Sequence, residues 1–227
     1  MQLTTILLGK RIQKKKFQKV PDFSVEDSAR SKGHFFIAGI DEAGRGSWAG
    51  PVVAGAVILE ADNLIPPLRS ELDDSKKLTV RKRQMLFEML PTCALIGVGI
   101  ADVNEIDRLN ILEASFLAMA RAISDLPQKP GYVIVDGNKV PDLPCPGEYV
   151  VKGDSRSLSI AAASIVAKVT RDNIMVNLAK TFTGYGWERN AGYGTQEHKM
   201  ALERLGVTEH HRKSYAPIIK ILSKNRV

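Results

Sequence analysis

The sequence predicts an α/β domain: a mixed five-stranded sheet flanked by helices, with a helical part at its C-terminus. Three observations carry this. Two apolar segments near residue 40 and residue 55 lie close enough to pair antiparallel. From there on, apolar strands alternate with segments of helical spacing. Beyond residue 183 no further strand pattern occurs.

The folded body is expected to begin at Phe35. Phe35-Phe36-Ile37-Ala38-Gly39-Ile40-Asp41 reads as a strand, and Pro51–Leu59 as its antiparallel neighbour. Asp74-Ser75-Lys76-Lys77-Leu78-Thr79 offers caps for a helix through about Leu90. Ala94–Ala101 is a third apolar strand. Val103–Leu126 reads as one helix, because Ile106, Leu109, Leu112, Phe116, Ala120 and Ile123 recur at threes and fours. Tyr132–Val135 is short and wholly apolar, as a central buried strand should be. Glu148–Val151 is the fifth strand. Ser157–Phe182 is a long alanine-rich helix, on which Lys168 and Asp172 stand i, i+4 as a structural pair. Thr183–Thr195 is a loop rich in glycine and aromatics. Gln196–Leu205 and Ala216–Leu222 are short helices. The expected organisation is a basic extension over 1–34, a body over 35–182 and a C-terminal helical part over 183–227.

Four acids stand at the ends of these elements. Asp41 and Glu42 end the first strand, Asp136 follows the central one, and Asp154 stands between the fifth strand and the long helix. Taken singly, each has a structural explanation: Asp136-Gly137-Asn138 is a turn composition, and Asp154 is placed to cap the helix. Taken together, they sit where ligand sites collect in open α/β sheets. Four carboxylates converging there would repel one another unless cations neutralised them. All-oxygen ligands select magnesium or manganese over zinc, and such a set can hold two ions that activate a water and stabilise the leaving oxygen of a phosphodiester. One geometric difficulty stands. Neighbours on a strand point to opposite faces, so Asp41 and Glu42 share a metal only if the strand ends or bulges between them. Gly44, Arg45 and Gly46 follow at once, and glycine-flanked backbone can approach phosphate or sugar oxygens closely.

Gly39-Ile40-Asp41-Glu42-Ala43-Gly44-Arg45-Gly46 with Ala49-Gly50-Pro51-Val52-Val53 resembles the opening signature of ribonuclease HII, the type 2 ribonuclease H family. Further similar blocks follow in order: Asp74–Leu78, Val135–Asn138, Lys152-Gly153-Asp154, Ile160–Asp172, Gly192-Tyr193-Gly194-Thr195 and Thr208–Tyr215. Residues 1–34 match nothing in the pattern. The related ribonuclease HIII family lacks an arginine between the two glycines and carries a larger N-terminal domain. The resemblance implies a ribonuclease H-like fold and hydrolysis of RNA in RNA–DNA hybrids. It also implies cutting 5′ to single ribonucleotides embedded in duplex DNA, leaving 3′-hydroxyl and 5′-phosphate ends. It assigns Mg2+ or Mn2+ in a two-metal site to Asp41, Glu42, Asp136 and Asp154. Gly44, Arg45 and Gly46 would read the ribose 2′-hydroxyl, the group that distinguishes RNA from DNA. Tyr193 would stack on the following sugar.

Charge agrees with a nucleic-acid partner. The net charge is +7, yet residues 1–34 hold eight Lys/Arg against three Asp/Glu, and residues 204–227 hold six against one. A slightly acidic body between basic ends suits a protein gripping a polyanion at its margins. Lys76, Lys152, Arg212 and Lys213 are candidate phosphate contacts. His210 and His211 are adjacent and cannot share one helix face; a proton shuttle stays open for one of them, and a structural or phosphate-contact role is the main expectation. Two cysteines, Cys93 and Cys145, exclude a disulfide framework and a cysteine-built zinc site, and fit a reducing, cytoplasmic compartment. No apolar run approaches the roughly 20 residues that span a bilayer, and no secretory leader is expected. The expected state is a monomer, with contact to a replication or repair protein left open.

Overall fold

The computed structural model describes residues 20–224. In chain order the elements are α1 (Ser24–Ser31), β1 (Ile37–Ala43), β2 (Val52–Leu59), α2 (Pro66–Glu71), α3 (Val80–Met89), β3 (Ala94–Ala101), α4 (Val103–Leu109), α5 (Ile111–Asp125), β4 (Tyr132–Asp136), β5 (Gly147–Val150), α6 (Leu158–Thr181), α7 (Trp187–Asn190), α8 (Gln196–Leu205) and α9 (Ala216–Lys224). The sheet order is β3-β2-β1-β4-β5. β1 pairs antiparallel with β2 and parallel with β4, so the sheet is mixed and β1 lies at its centre. A parallel neighbour requires a crossover, and β3, α4 and α5 supply it.

Helices cover both faces. α5 packs on β2 and β3, where Gly97 and Gly99 lie so close to its backbone that a Cβ would collide with the carbonyls of Ala122 and Ala118. α6 packs on the other face, and there a Cβ on Gly39 would strike the backbone of Ser159. Alternation then puts Ala38 and Ile40 in the α5 core and turns Gly39 and Asp41 toward the start of α6. α6 is buried on nearly all sides over its first ten residues, which explains its run of small and apolar residues.

Three expectations change. The helix expected over Val103–Leu126 is two helices, because Asn110 adopts φ +72° and caps α5, its Oδ1 accepting from the N–H groups of Leu112 and Glu113. The loop Thr183–Thr195 contains the single turn α7, whose Trp187 is buried with Tyr185, Met175 and Ala49. This cluster joins the C-terminal helices to the main body through one shared core. The expected extension 1–34 is part of the folded body from about residue 22. α1 buries Ala29 against Ile37, Ile134 and Ile160, and the ring of His34 stacks on Tyr132. The basic run Lys10–Lys16 lies outside the described residues.

Candidate active site

Parallel pairing of β1 with β4 sets Ile40 opposite Val135, so the next residues, Asp41 and Asp136, come side by side at the strand ends. Asp154 arrives from a 3-10 turn, Gly153–Ser155, just before α6. One carboxylate oxygen from each of Asp41, Asp136 and Asp154 lies within 4.8 Å of the others. Short bonds hold them. The Gly153 N–H donates to Asp136 Oδ1 at 2.6 Å, and the Glu42 N–H to Asp41 Oδ1 at 2.7 Å. Asp154 does not cap the long helix; Ser157 does, its hydroxyl accepting from the Ile160 N–H.

The electrostatics are those of crowded like charges. Burial pushes the Asp41 carboxyl well above the ordinary carboxylate range, and the charges of Glu42 and Asp136 push it further. Asp154 is raised by burial and by Asp136 and Asp74. Partial desolvation disfavours the charge of the exposed Lys76, but Asp41, Asp74, Asp154 and Asp136 outweigh this and hold its pKa above the usual lysine value. Three acids forced together and no arginine among them form a donor set that fits a hard divalent cation.

Glu42 falls outside the cluster of three. Its Oε1 lies 3.3 Å from an Arg45 guanidinium nitrogen, while its charge still acts on Asp41. Burial nonetheless raises its pKa, with Asp136 adding to the rise. Glu42, Gly44, Arg45, Gly46, Lys76 and Tyr193 line one groove of about 710 Å³ beside the aspartates. Gly44 has φ +98°, and a Cβ there would lie 1.9 Å from Arg171 Nε. Beside Gly46 there is open space up to the Tyr193 ring, 3.9 Å from where a Cβ would stand. Tyr193 is 37% exposed, with Lys168 Nζ 5.8 Å and Arg171 Cζ 5.6 Å from its ring centre.

The structure separates the candidate phosphate contacts. Lys152 is exposed on a left-handed turn two residues before Asp154. Lys213 is exposed, its backbone N–H bonded to Asp107. Arg212 is a correction: it is completely buried. Its guanidinium donates to the carbonyls of Gly50, Arg45 and Pro51 and to the Tyr215 hydroxyl, so no donor edge faces solvent. His211 is structural as well. It is buried, its Nε2 is 3.1 Å from His198 Nε2, and its Nδ1 faces Thr208. Trp187 donates to His198 Nε2, so the proton of His198 sits on Nδ1 and is donated to the Tyr193 carbonyl at 3.0 Å.

Sequence reasoning missed the supports of this groove. Arg171, from α6, donates to the carbonyls of Pro51, Ala49 and Ala191, tying the loop after Gly46 to the Tyr193 segment. Its burial lowers its pKa to about 10, which leaves it charged near neutrality. Arginines that serve backbone carbonyls have no partner residue to betray them in a sequence. His198 stands on the first turn of α8 and gives no spacing signal either.

Comparison with known proteins agrees with this geometry. Residues 38–218 match the family model described as Ribonuclease HII. A Ribonuclease HII of Paracoccus denitrificans is 57% identical over 205 residues, covering 90% of this chain and 96% of the relative. The ribonuclease H2 of Pyrococcus horikoshii OT3 superposes with a TM-score of 0.71 at 27% identity, covering 84% of this chain and 98% of that one. Bst-RNase HIII, solved in complex with Mn2+, shares the fold at 18% identity with a TM-score of 0.69, covering 87% of this chain and 72% of its own. The expectations of a ribonuclease H-like fold and of a ribonuclease H enzyme therefore hold, and the chain belongs to the ribonuclease HII family.

Proposed function

We propose that this ribonuclease H cuts the RNA strand of RNA–DNA hybrids, and cuts duplex DNA on the 5′ side of a single embedded ribonucleotide. The observation that carries the reading is the meeting of Asp41, Asp136 and Asp154 beside a groove walled by Gly44, Arg45, Gly46 and Tyr193. Asp41, Asp136 and Asp154 would hold Mg2+ or Mn2+, with Glu42 as the fourth carboxylate at the groove edge. Divalent ions bound there would supply an activated water and neutralise charge on the phosphodiester.

The chain's own groups do the rest. The backbone at Gly44 and Gly46 reaches the ribose 2′-hydroxyl where side chains would obstruct it, and Arg45 between them takes part in reading that sugar. Tyr193 offers a ring face to the following sugar. Lys76 balances the carboxylates and, with Lys152 and Lys213, adds contacts that depend on salt and not on sequence. Water attacks the phosphorus and the P–O3′ bond breaks, the leaving O3′ taking up a proton, so the products are a 3′-hydroxyl and a 5′-phosphate; the 2′-hydroxyl is recognised and does not attack. The proposed setting is cytoplasmic, with the enzyme acting as a monomer. Among the described residues no helix is long and apolar enough to cross a membrane.

The test is a labelled DNA duplex containing one ribonucleotide, incubated with Mg2+, Mn2+ or EDTA, with the product ends identified. One cut 5′ to the ribonucleotide, dependent on metal, is expected. A 2′,3′-cyclic phosphate end would mean that the 2′-hydroxyl itself attacks, and would overturn the mechanism. Binding without cleavage under every ion would leave a hybrid-binding module instead.

A further inference from the structure

The Glu26 side chain is a carboxylate buried to 1% exposure, outside the site described above. It reaches from α1 to the start of α6. Its Oε1 accepts from the Ser157 hydroxyl at 2.7 Å and from the Ser159 N–H at 2.9 Å. Its Oε2 has no hydrogen-bond partner among the described residues. The same segment adds backbone bonds: the Leu158 N–H donates to the Asp22 carbonyl, and the Asp22 N–H to that of Arg156.

The first N–H groups of a helix have no partner within it. In α6, those of Leu158 and Ser159 are answered by Asp22 and Glu26, and that of Ile160 by Ser157, whose own proton goes to Glu26. A carboxylate is also the charge a helix N-terminus favours. The turn carrying Asp154 is bonded into this same end, since the N–H groups of Arg156 and Ser157 both donate to the Gly153 carbonyl. Its other side is held by the bond from Gly153 to Asp136.

We propose that Glu26 is a positioning residue for Asp154: α1 clamps the start of α6 and so sets where the third carboxylate of the metal centre stands. The proposal rests on the reading of Asp41, Asp136 and Asp154 as that centre. It makes the segment around α1 part of the catalytic apparatus, though it lies before the first motif.

The test is Mn2+ binding to the full chain without substrate, by calorimetry, for wild type, Glu26→Ala, Glu26→Gln and Met119→Ala. Met119 lies in the core on the opposite face of the sheet and controls for general loss of stability. Glu26→Ala should weaken Mn2+ binding about tenfold, as loss of an outer-shell support does. Glu26→Gln keeps an oxygen acceptor at the same place and should stay within about threefold of wild type. Met119→Ala should lower the unfolding midpoint and leave Mn2+ affinity alone. If Glu26→Ala does not fold, Glu26→Asp, one methylene short, should show the same weakening. A folded Glu26→Ala or Glu26→Asp protein with wild-type Mn2+ affinity overturns the proposal, as does an equal loss in Met119→Ala. Wild-type binding that Asp136→Asn leaves unchanged would overturn the metal-centre reading itself.

Discussion

The guanidinium of Arg212 donates to the backbone carbonyl of Arg45 at 2.9 Å, so a buried arginine near the C-terminus holds the residue at the mouth of the groove. The Tyr215 hydroxyl donates to the same carbonyl at 2.7 Å. The groove is thus fixed from behind by residues that never reach its surface.

Arg212→Ala should therefore act on stability. It would leave the carbonyls of Gly50, Arg45 and Pro51 without these donors inside the protein, a loss of about 3 kcal/mol in urea unfolding. Arg212→Lys should recover little, because an ammonium cannot reproduce the planar fork. An alanine variant of wild-type stability, with weaker and less salt-dependent hybrid binding, would return Arg212 to the role of phosphate contact.

Asp136→Asn should abolish cutting and largely spare substrate binding. The amide oxygen can still accept from the Gly153 N–H, so the turn survives, but the central carboxylate charge is gone. A rate loss greater than about 100-fold is expected, beyond what loss of an outer-shell partner costs. Single-turnover cleavage and a binding titration on one hybrid would check it; a rate near wild type would remove Asp136 from the site.

Arg45→Ala should weaken discrimination between ribonucleotide and deoxyribonucleotide more than overall binding. Its side chain is half exposed over the groove and pairs with Glu42 at 3.3 Å, beside the glycines proposed to meet the sugar. Competition between an all-DNA duplex and one with a single ribonucleotide would measure this. Equal loss on both would reduce Arg45 to a nonspecific phosphate contact.

The histidine pair predicts an acid limb in stability. Burial, aided by the neighbouring His198, lowers His211 to about 3, and burial lowers His198 as well. Unfolded, both would titrate near 6.5, so below that pH the unfolded chain binds more protons than the folded one. Stability from these groups is complete above about 6.5 and is lost as pH falls toward the folded values, by up to about 1.4 kcal/mol per pH unit for His211, with His198 adding in the same direction. His211→Asn should flatten the pH dependence of urea unfolding between about pH 6 and pH 4.5. An unchanged slope would mean that the pair does not titrate in this range.

Much of this protein could be read along the chain. Four of the five strands needed only runs of apolar residues bounded by turns; β5, Gly147–Val150, is short and buries only Val150. Asp41 and Asp136 were legible because each follows an apolar run, and parallel pairing of β1 with β4 brings them together; Asp154 depends in addition on the 3-10 turn after β5. The single helix expected over Val103–Leu126 misled because periodicity is blind to one residue: Asn110 turns left-handed and restarts the helix without disturbing the apolar spacing. Arg212 misled because a basic residue in a basic tail looks solvated, and its burial depends on carbonyls at Gly50 and Pro51, more than 160 positions away. Glu42 turned on the same limit. Its neighbour Asp41 meets Asp136 and Asp154, whereas Glu42 faces Arg45. Local pattern records what a segment prefers to be. Which carboxylate meets another, and which arginine is spent inside, follows from the packing of distant backbone, which no short stretch of sequence encodes.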